Sequence, residues 1–199
     1  MKNAQIKVGL FGGSFDPIHN GHLTLAIWTQ KALSLDRIIF VPAATPPHKL
    51  HHAITSAEHR LHMVELAIQN LPQFEVSAIE IERQGISYTI DTVVYLRKKY
   101  RLTKKELYLI IGADNLSEFS TWKDPDRILR LCQVVALPRP HVPLTALPAA
   151  IQRQVILLAA PLIDISATEI RQRIKNREPI SHFVPPAVEE YIYQQQLYQ

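Results

Sequence analysis

With 199 residues, 47% of them hydrophobic, the chain has the size and apolar content of one compact domain with an ample core. Its longest apolar run, Val155 to Ile163, is broken by Pro161 and too short to cross a bilayer, and Met1 to Gln5 is too short and polar for a signal peptide, so we expect a cytoplasmic protein with no membrane partner. The formal charge of +4 is carried by scattered basic residues, not by a stripe with interleaved aromatics; small anionic substrates account for it as well as nucleic acid would, and no nucleic-acid partner is expected.

Ile6, Val8, Leu10 and Phe11 read as a short buried strand, and Leu23, Leu25, Ala26 and Ala32 to Leu33 as the apolar stripe of a helix. Between them lies Gly12-Gly13-Ser14-Phe15-Asp16-Pro17-Ile18-His19-Asn20-Gly21-His22, a strand-to-helix turn. Its glycines let backbone approach a ligand closely, and the following helix aims unpaired N–H groups there, which makes an anion site. Two histidines add side-chain donors, so a chain of phosphates is the expected guest. A plain loop would need only the glycines and Pro17, with Asp16 capping a turn. Neither Gly-Lys-Ser/Thr nor Gly-x-Gly-x-x-Gly is present at this turn, which sets it apart from the P-loop and the dinucleotide fingerprint.

Arg37 to Val41, ending in Pro42, predicts a parallel strand whose carboxyl end faces the same crevice. In the loop Ala43 to Ile54, Pro46 and Pro47 stiffen the backbone before His48 and Lys49. His51, His52, His59 and His62 have no metal-ligand spacing and read as surface or helix residues. Thr55 and Glu58 suggest a capping box for a helix reaching Asn70. Phe74 to Ile81 reads as a strand, Glu82 to Gly85 as a turn, and Ile86 to Tyr100 as a helix near whose start Ser87 and Thr89 could serve as caps.

Glu106 to Ile111 is strongly strand-like and leads into Gly112-Ala113-Asp114, where a carboxylate at a strand's carboxyl end is placed to hold ribose hydroxyls or, alternatively, to cap a short helix at Asn115 to Phe119. Trp122 stands among polar neighbours, suited to stacking on a flat ring, with core packing as the alternative. Asp124-Pro125 opens a helix to Leu131; Gln133 to Leu137 is a further strand, Pro138 to Pro148 a loop, and Val155 to Leu158 another strand. The one cysteine, Cys132, has apolar neighbours and reads as a buried, inert thiol. Ser166 and Glu169 form a capping box for a helix from whose first turns Arg171 projects. Val184 to Tyr198 closes the chain as an amphipathic helix expected to pack over the last strand. Alternating strands and helices give an α/β fold: Rossmann-like, doubly wound, a mainly parallel sheet with helices on both faces, in a single domain over 1–199, its C-terminal helical segment from about 166 packing on the sheet.

The Gly12-to-His22 turn resembles the signature of the nucleotidyltransferase superfamily that shares a His-x-Gly-His turn, and more narrowly that of the nicotinate-nucleotide adenylyltransferases. Further matches are Pro46 to Lys49, Ser87-Tyr88-Thr89, Gly112-Ala113-Asp114, Trp122 and Ile165 to Arg171, so the likeness spans nearly the whole chain. Ser14 stands where the family has Thr, which keeps the hydroxyl, and Ala167 where it has Ser, which does not. The resemblance implies transfer of the adenylyl group of ATP to the 5′-phosphate of nicotinate mononucleotide, with Mg²⁺ carried by ATP and no protein metal site. It implies that Gly12, Gly13, Ser14, Phe15, His19, His22, Ser166, Thr168 and Arg171 face ATP, the two histidines and Arg171 being catalytic. Lys49, Tyr88, Thr89, Gly112, Asp114 and Trp122 would face the mononucleotide. Phosphopantetheine adenylyl or cytidylyl transfer, or a nucleotide-sensing module without turnover, are the alternatives, and a homo-oligomer is left open. A class I aminoacyl-tRNA synthetase shares the motif but needs anticodon-binding mass that 199 residues do not supply.

Overall fold

The structure is a computed structural model described over residues 6–46, 54–138 and 153–199. Among the described residues six strands form one parallel sheet: β1 (Val8–Gly13), β2 (Arg37–Pro42), β3 (Phe74–Val76), β4 (Leu107–Gly112), β5 (Gln133–Leu137) and β6 (Val155–Leu157), in the order β3-β2-β1-β4-β5-β6. This is a doubly wound, Rossmann-like sheet, and its direction of winding reverses between β1 and β4. Such a reversal splays the outgoing loops apart and opens a crevice beyond the strand ends.

Period-two alternation sends successive strand residues to opposite faces, and each face buries its own cluster. Phe11, Ile38, Phe40, Ile110 and Val135 point to one side. There they pack against α1 (Asn20–Leu33), α2 (Ala57–Ile68), α7 (Ala167–Lys175) and α8 (Pro186–Gln194). Leu10, Ile39, Val41, Leu109, Ile111 and Val134 point to the other, against α4 (Thr89–Tyr100), α5 (Ala113–Ser117) and α6 (Pro125–Leu131). Each fully buried Ile or Leu contributes about 1.5–3 kcal/mol, so the central strands anchor the fold. Cys132 is buried as expected, and its Sγ lies 3.4 Å from the Ile128 carbonyl. No described helix is long and apolar enough to cross a membrane.

Several expected boundaries shift. The strand expected over Phe74 to Ile81 stops at Val76, because β3 finds only three partners on β2, Ile38 to Phe40; Ile79–Arg83 then coils into the short helix α3. Ser56, not Thr55, caps α2, its Oγ accepting from His59 N at 3.4 Å. The Thr55 carbonyl instead receives Arg60 Nε at 2.8 Å. Helix α4 begins at Thr89 and not Ile86, with Tyr88 as its cap residue; Ser87 lies before it, its N–H donating to Thr45 O and its Oγ accepting from Ala44 N, so neither Ser87 nor Thr89 serves as a cap. Helix α5 starts at Ala113, so Asp114 sits within its first turn instead of capping it. At α7 only the Ser166 half of the capping box is recorded, at 3.1 Å from Glu169 N; the Glu169 carboxylate takes Arg173 Nε instead. Finally, α8 ends at Gln194 and lies chiefly against α2, not over β6, with Tyr191 Oη 2.7 Å from His59 Nδ1. Lys49, His48, His51, His52 and the proline-rich stretch from Arg139 to Pro148 lie outside the described residues.

Candidate active site

Because β1 runs through Gly13 and α1 begins at Asn20, the turn between them is Ser14 to His19. Three remote segments hold it. Arg60, wholly buried on α2, donates to the carbonyls of Ser14 (2.7 Å), Ala44 (3.1 Å) and Thr55 (2.8 Å), tying the turn to the loops after β2 and before α2. Desolvation lowers the Arg60 pKa from its ordinary value, with the Asp16 charge acting the other way. From α7, Arg171 Nη1 donates to the Asp16 carbonyl at 2.8 Å while Nη2 reaches Thr168 Oγ1 at 3.2 Å. Tyr198 Oη, from beyond α8, donates to Asp16 Oδ1 at 2.7 Å.

The two histidines sit where α1 starts, His19 as the cap residue and His22 one turn in. His19 N–H donates to His22 Nδ1 at 3.2 Å, which leaves the proton of a neutral His22 ring on Nε2. Their rings stack with centroids 3.6 Å apart and 27° between planes. Phe15 braces His22 edge-on at 5.2 Å, from a left-handed backbone position at φ 48°. Gly21 has a packing reason: a Cβ there would stand 3.0 Å from His19 Nδ1 and 3.2 Å from Ile163. A Cβ on Gly12 would meet nothing within 4 Å, so its bare backbone faces open crevice.

The turn, its two histidines and Arg171 border one cavity of about 810 Å³ at the β1/β4 switch point, within the size range of small-molecule sites. Gly12, Gly13, Ser14, Phe15, His19 and His22 line it from the turn, and Ser166, Thr168 and Arg171 from the start of α7. Ala167 lines the same wall without a hydroxyl. Tyr88, Thr89, Gly112, Asp114 and Trp122 line it elsewhere, so every expected site residue within the described chain is at this one cavity. Trp122 is half-buried, its ring 5.2 Å from Phe119, so it packs on the core and borders the cavity at once. The N-termini of α1, α4 and α7 all border this cavity, so the positive ends of three helix dipoles meet there.

Sequence reasoning missed several participants. Glu80, 7% exposed, accepts from Thr92 Oγ1 and lines the cavity; reading its segment as strand hid it. Lys123 Nζ stands 4.4 Å above the Tyr88 ring and 3.4 Å from Asp91 Oδ2. Asp16, 4% exposed, reads from the sequence only as a turn cap. Arg60 and Tyr198 carry no local signal, since their partners are distant in sequence.

A histidine-bearing β-to-α turn facing an arginine across a switch-point crevice defines a nucleotidyltransferase-type site, and residues 10–173 match the family model described as cytidylyltransferase-like. A curated relative from Moorella thermoacetica, described as a probable nicotinate-nucleotide adenylyltransferase, is 44% identical over 96% of this chain and 91% of its own. One from Thermus thermophilus, described in the same words, is 45% identical over 97% and 100%. The chain belongs to the nicotinate-nucleotide adenylyltransferase family. Among solved structures, the Plasmodium falciparum nicotinic acid mononucleotide adenylyltransferase complexed with NaAD matches with a TM-score of 0.77, covering 97% of each chain; at 18% identity the likeness concerns the fold.

Proposed function

We propose that the protein transfers the adenylyl group of ATP to the 5′-phosphate of nicotinate mononucleotide, yielding deamido-NAD and pyrophosphate, a step of NAD biosynthesis. The observation that carries this reading is the 2.8 Å contact from Arg171 to the Asp16 carbonyl, which ties the guanidinium to the turn whose two imidazoles line the same cavity. An oxygen of the mononucleotide phosphate attacks the α-phosphorus of ATP; the new P–O bond forms as the α–β bridging bond breaks and pyrophosphate leaves. A phosphate monoester has a second pKa of about 6, so the nucleophile is ionised at neutral pH and no general base is needed.

What remains for the protein is alignment and charge neutralisation. His19 and His22 donate hydrogen bonds to the ATP phosphates, and the bare Gly12 backbone allows them close approach. The Arg171 fork grips the departing pyrophosphate in two places, which Lys could not. Tyr88, Thr89, Gly112, Asp114 and Trp122 receive the mononucleotide: Asp114 by the ribose, Trp122 by stacking, the N–H groups of α4 by the nicotinate carboxylate. Lys49 adds a phosphate contact. Mg²⁺ would arrive on the polyphosphate, whose charge the ion would offset. Soluble nucleotide substrates fit a cytoplasmic setting.

The test is pyrophosphate release from ATP with nicotinate mononucleotide, nicotinamide mononucleotide and phosphopantetheine as acceptors. The acid mononucleotide is expected to give the highest kcat/KM. Preference for phosphopantetheine, or no release with any acceptor, would overturn the reading.

A further inference from the structure

We propose that Tyr198 is a positioning residue for adenylyl transfer: through the Asp16 carboxylate its phenol holds the backbone whose carbonyl orients the Arg171 guanidinium. The inference rests on the role given above to Arg171. Asp16 is a hub with two occupied ends. Its side chain, 4% exposed, accepts from Tyr198 Oη at 2.7 Å, while its carbonyl accepts from Arg171 Nη1 at 2.8 Å. A carboxylate pulled toward the phenol fixes the peptide that bears it, and that peptide aims the fork.

The segment after α8 is bent to reach this place. Gln196 (φ 51°) and Tyr198 (φ 64°) both adopt left-handed backbone, which a side-chain-bearing residue disfavours. Leu197 N–H closes back on the Ile192 carbonyl at 3.0 Å, and the chain turns its phenol inward to the crevice turn instead of letting α8 run on into solvent. Ordinary packing would need the ring but not the hydroxyl contact. Burial, and next the charge of Asp16, push the phenol pKa above its usual range, so Tyr198 stays neutral and donating throughout physiological pH.

The experiment is a kinetic cycle of Tyr198→Phe, Arg171→Ala and the double variant, each read as kcat and KM for ATP with the thermal midpoint beside it. Tyr198→Phe keeps the ring and is expected to lower kcat about tenfold with little change in KM, measured at a temperature well below the Tm, which the lost hydrogen bond to Asp16 should itself lower. In the Arg171→Ala background the same change should have no further effect on kcat. Wild-type kinetics for Tyr198→Phe, or an undiminished loss in the Arg171→Ala background, would each overturn the proposal. Unchanged turnover for Arg171→Ala would sink the role of Arg171 itself and this inference with it, whereas a crippled Arg171→Ala beside an unaffected Tyr198→Phe sinks only the inference.

Discussion

At the scale of single residues, the proposed donors are held in place by their neighbours. His19 and His22 stack at 3.6 Å, and the His19 backbone N–H holds His22 Nδ1 at 3.2 Å, so the His22 ring does not have to search for its orientation. Arg171→Lys keeps the charge but loses the fork, and kcat should fall about 10²-fold, measured as pyrophosphate release at saturating ATP. Trp122→Ala should raise KM for the mononucleotide well above any change for ATP; equal losses would contradict stacking. The histidines and Arg171 were readable in the sequence because each belongs to a short local pattern, Gly-Gly followed by His-x-Gly-His, and Ser-x-Thr-x-Ile-Arg. Asp16, Arg60 and Tyr198 were not, because tertiary partners define what they do: Arg60 looks like any helix arginine until its guanidinium is seen meeting three carbonyls.

Among elements, the decisive feature is how α2, α7 and the segment after α8 converge on the turn between β1 and α1. Arg60 is the buried staple of that junction. Arg60→Met fills similar space but strands the carbonyls of Ser14, Ala44 and Thr55, and should cost roughly 3–5 kcal/mol, read from the midpoint of urea unfolding. A midpoint within error of wild type would show that the guanidinium is dispensable. Strand and helix order was legible from hydrophobic periodicity, with β5 read to the residue. Ends were not: Phe74 to Ile81 alternates like a strand, but pairing with β2 supports only Phe74–Val76, and nothing local marks where a neighbour runs out. Likewise the amphipathic last helix revealed an apolar face without revealing that α2 covers it.

For the whole molecule, a parallel sheet buried on both faces makes the interior inaccessible to reagents and gives stability a pH dependence. Burial pushes the Cys132 thiol up to about 12, against an ordinary value of about 8.5. A raised pKa means the fold favours the protonated thiol, so its contribution is complete below about 8.5 and is lost as pH climbs toward 12. Thermal stability should therefore decline across that window, less so in Cys132→Ala, and a thiol reagent at pH 8 should leave the folded protein unlabelled. The parallel α/β class was legible at this scale, since strands alternate with helices in sequence; the placement of helices on each face was not, since it depends on the winding reversal between β1 and β4. That reversal brings residues more than 150 positions apart to a single cavity, the proposed polyanion site and the core of the account. It is tested most directly by pyrophosphate release from ATP and nicotinate mononucleotide in wild type, His22→Ala and Arg171→Ala with circular dichroism alongside: each variant should lose about 10²–10³ in kcat at unchanged fold, and turnover at the wild-type rate in both would contradict it.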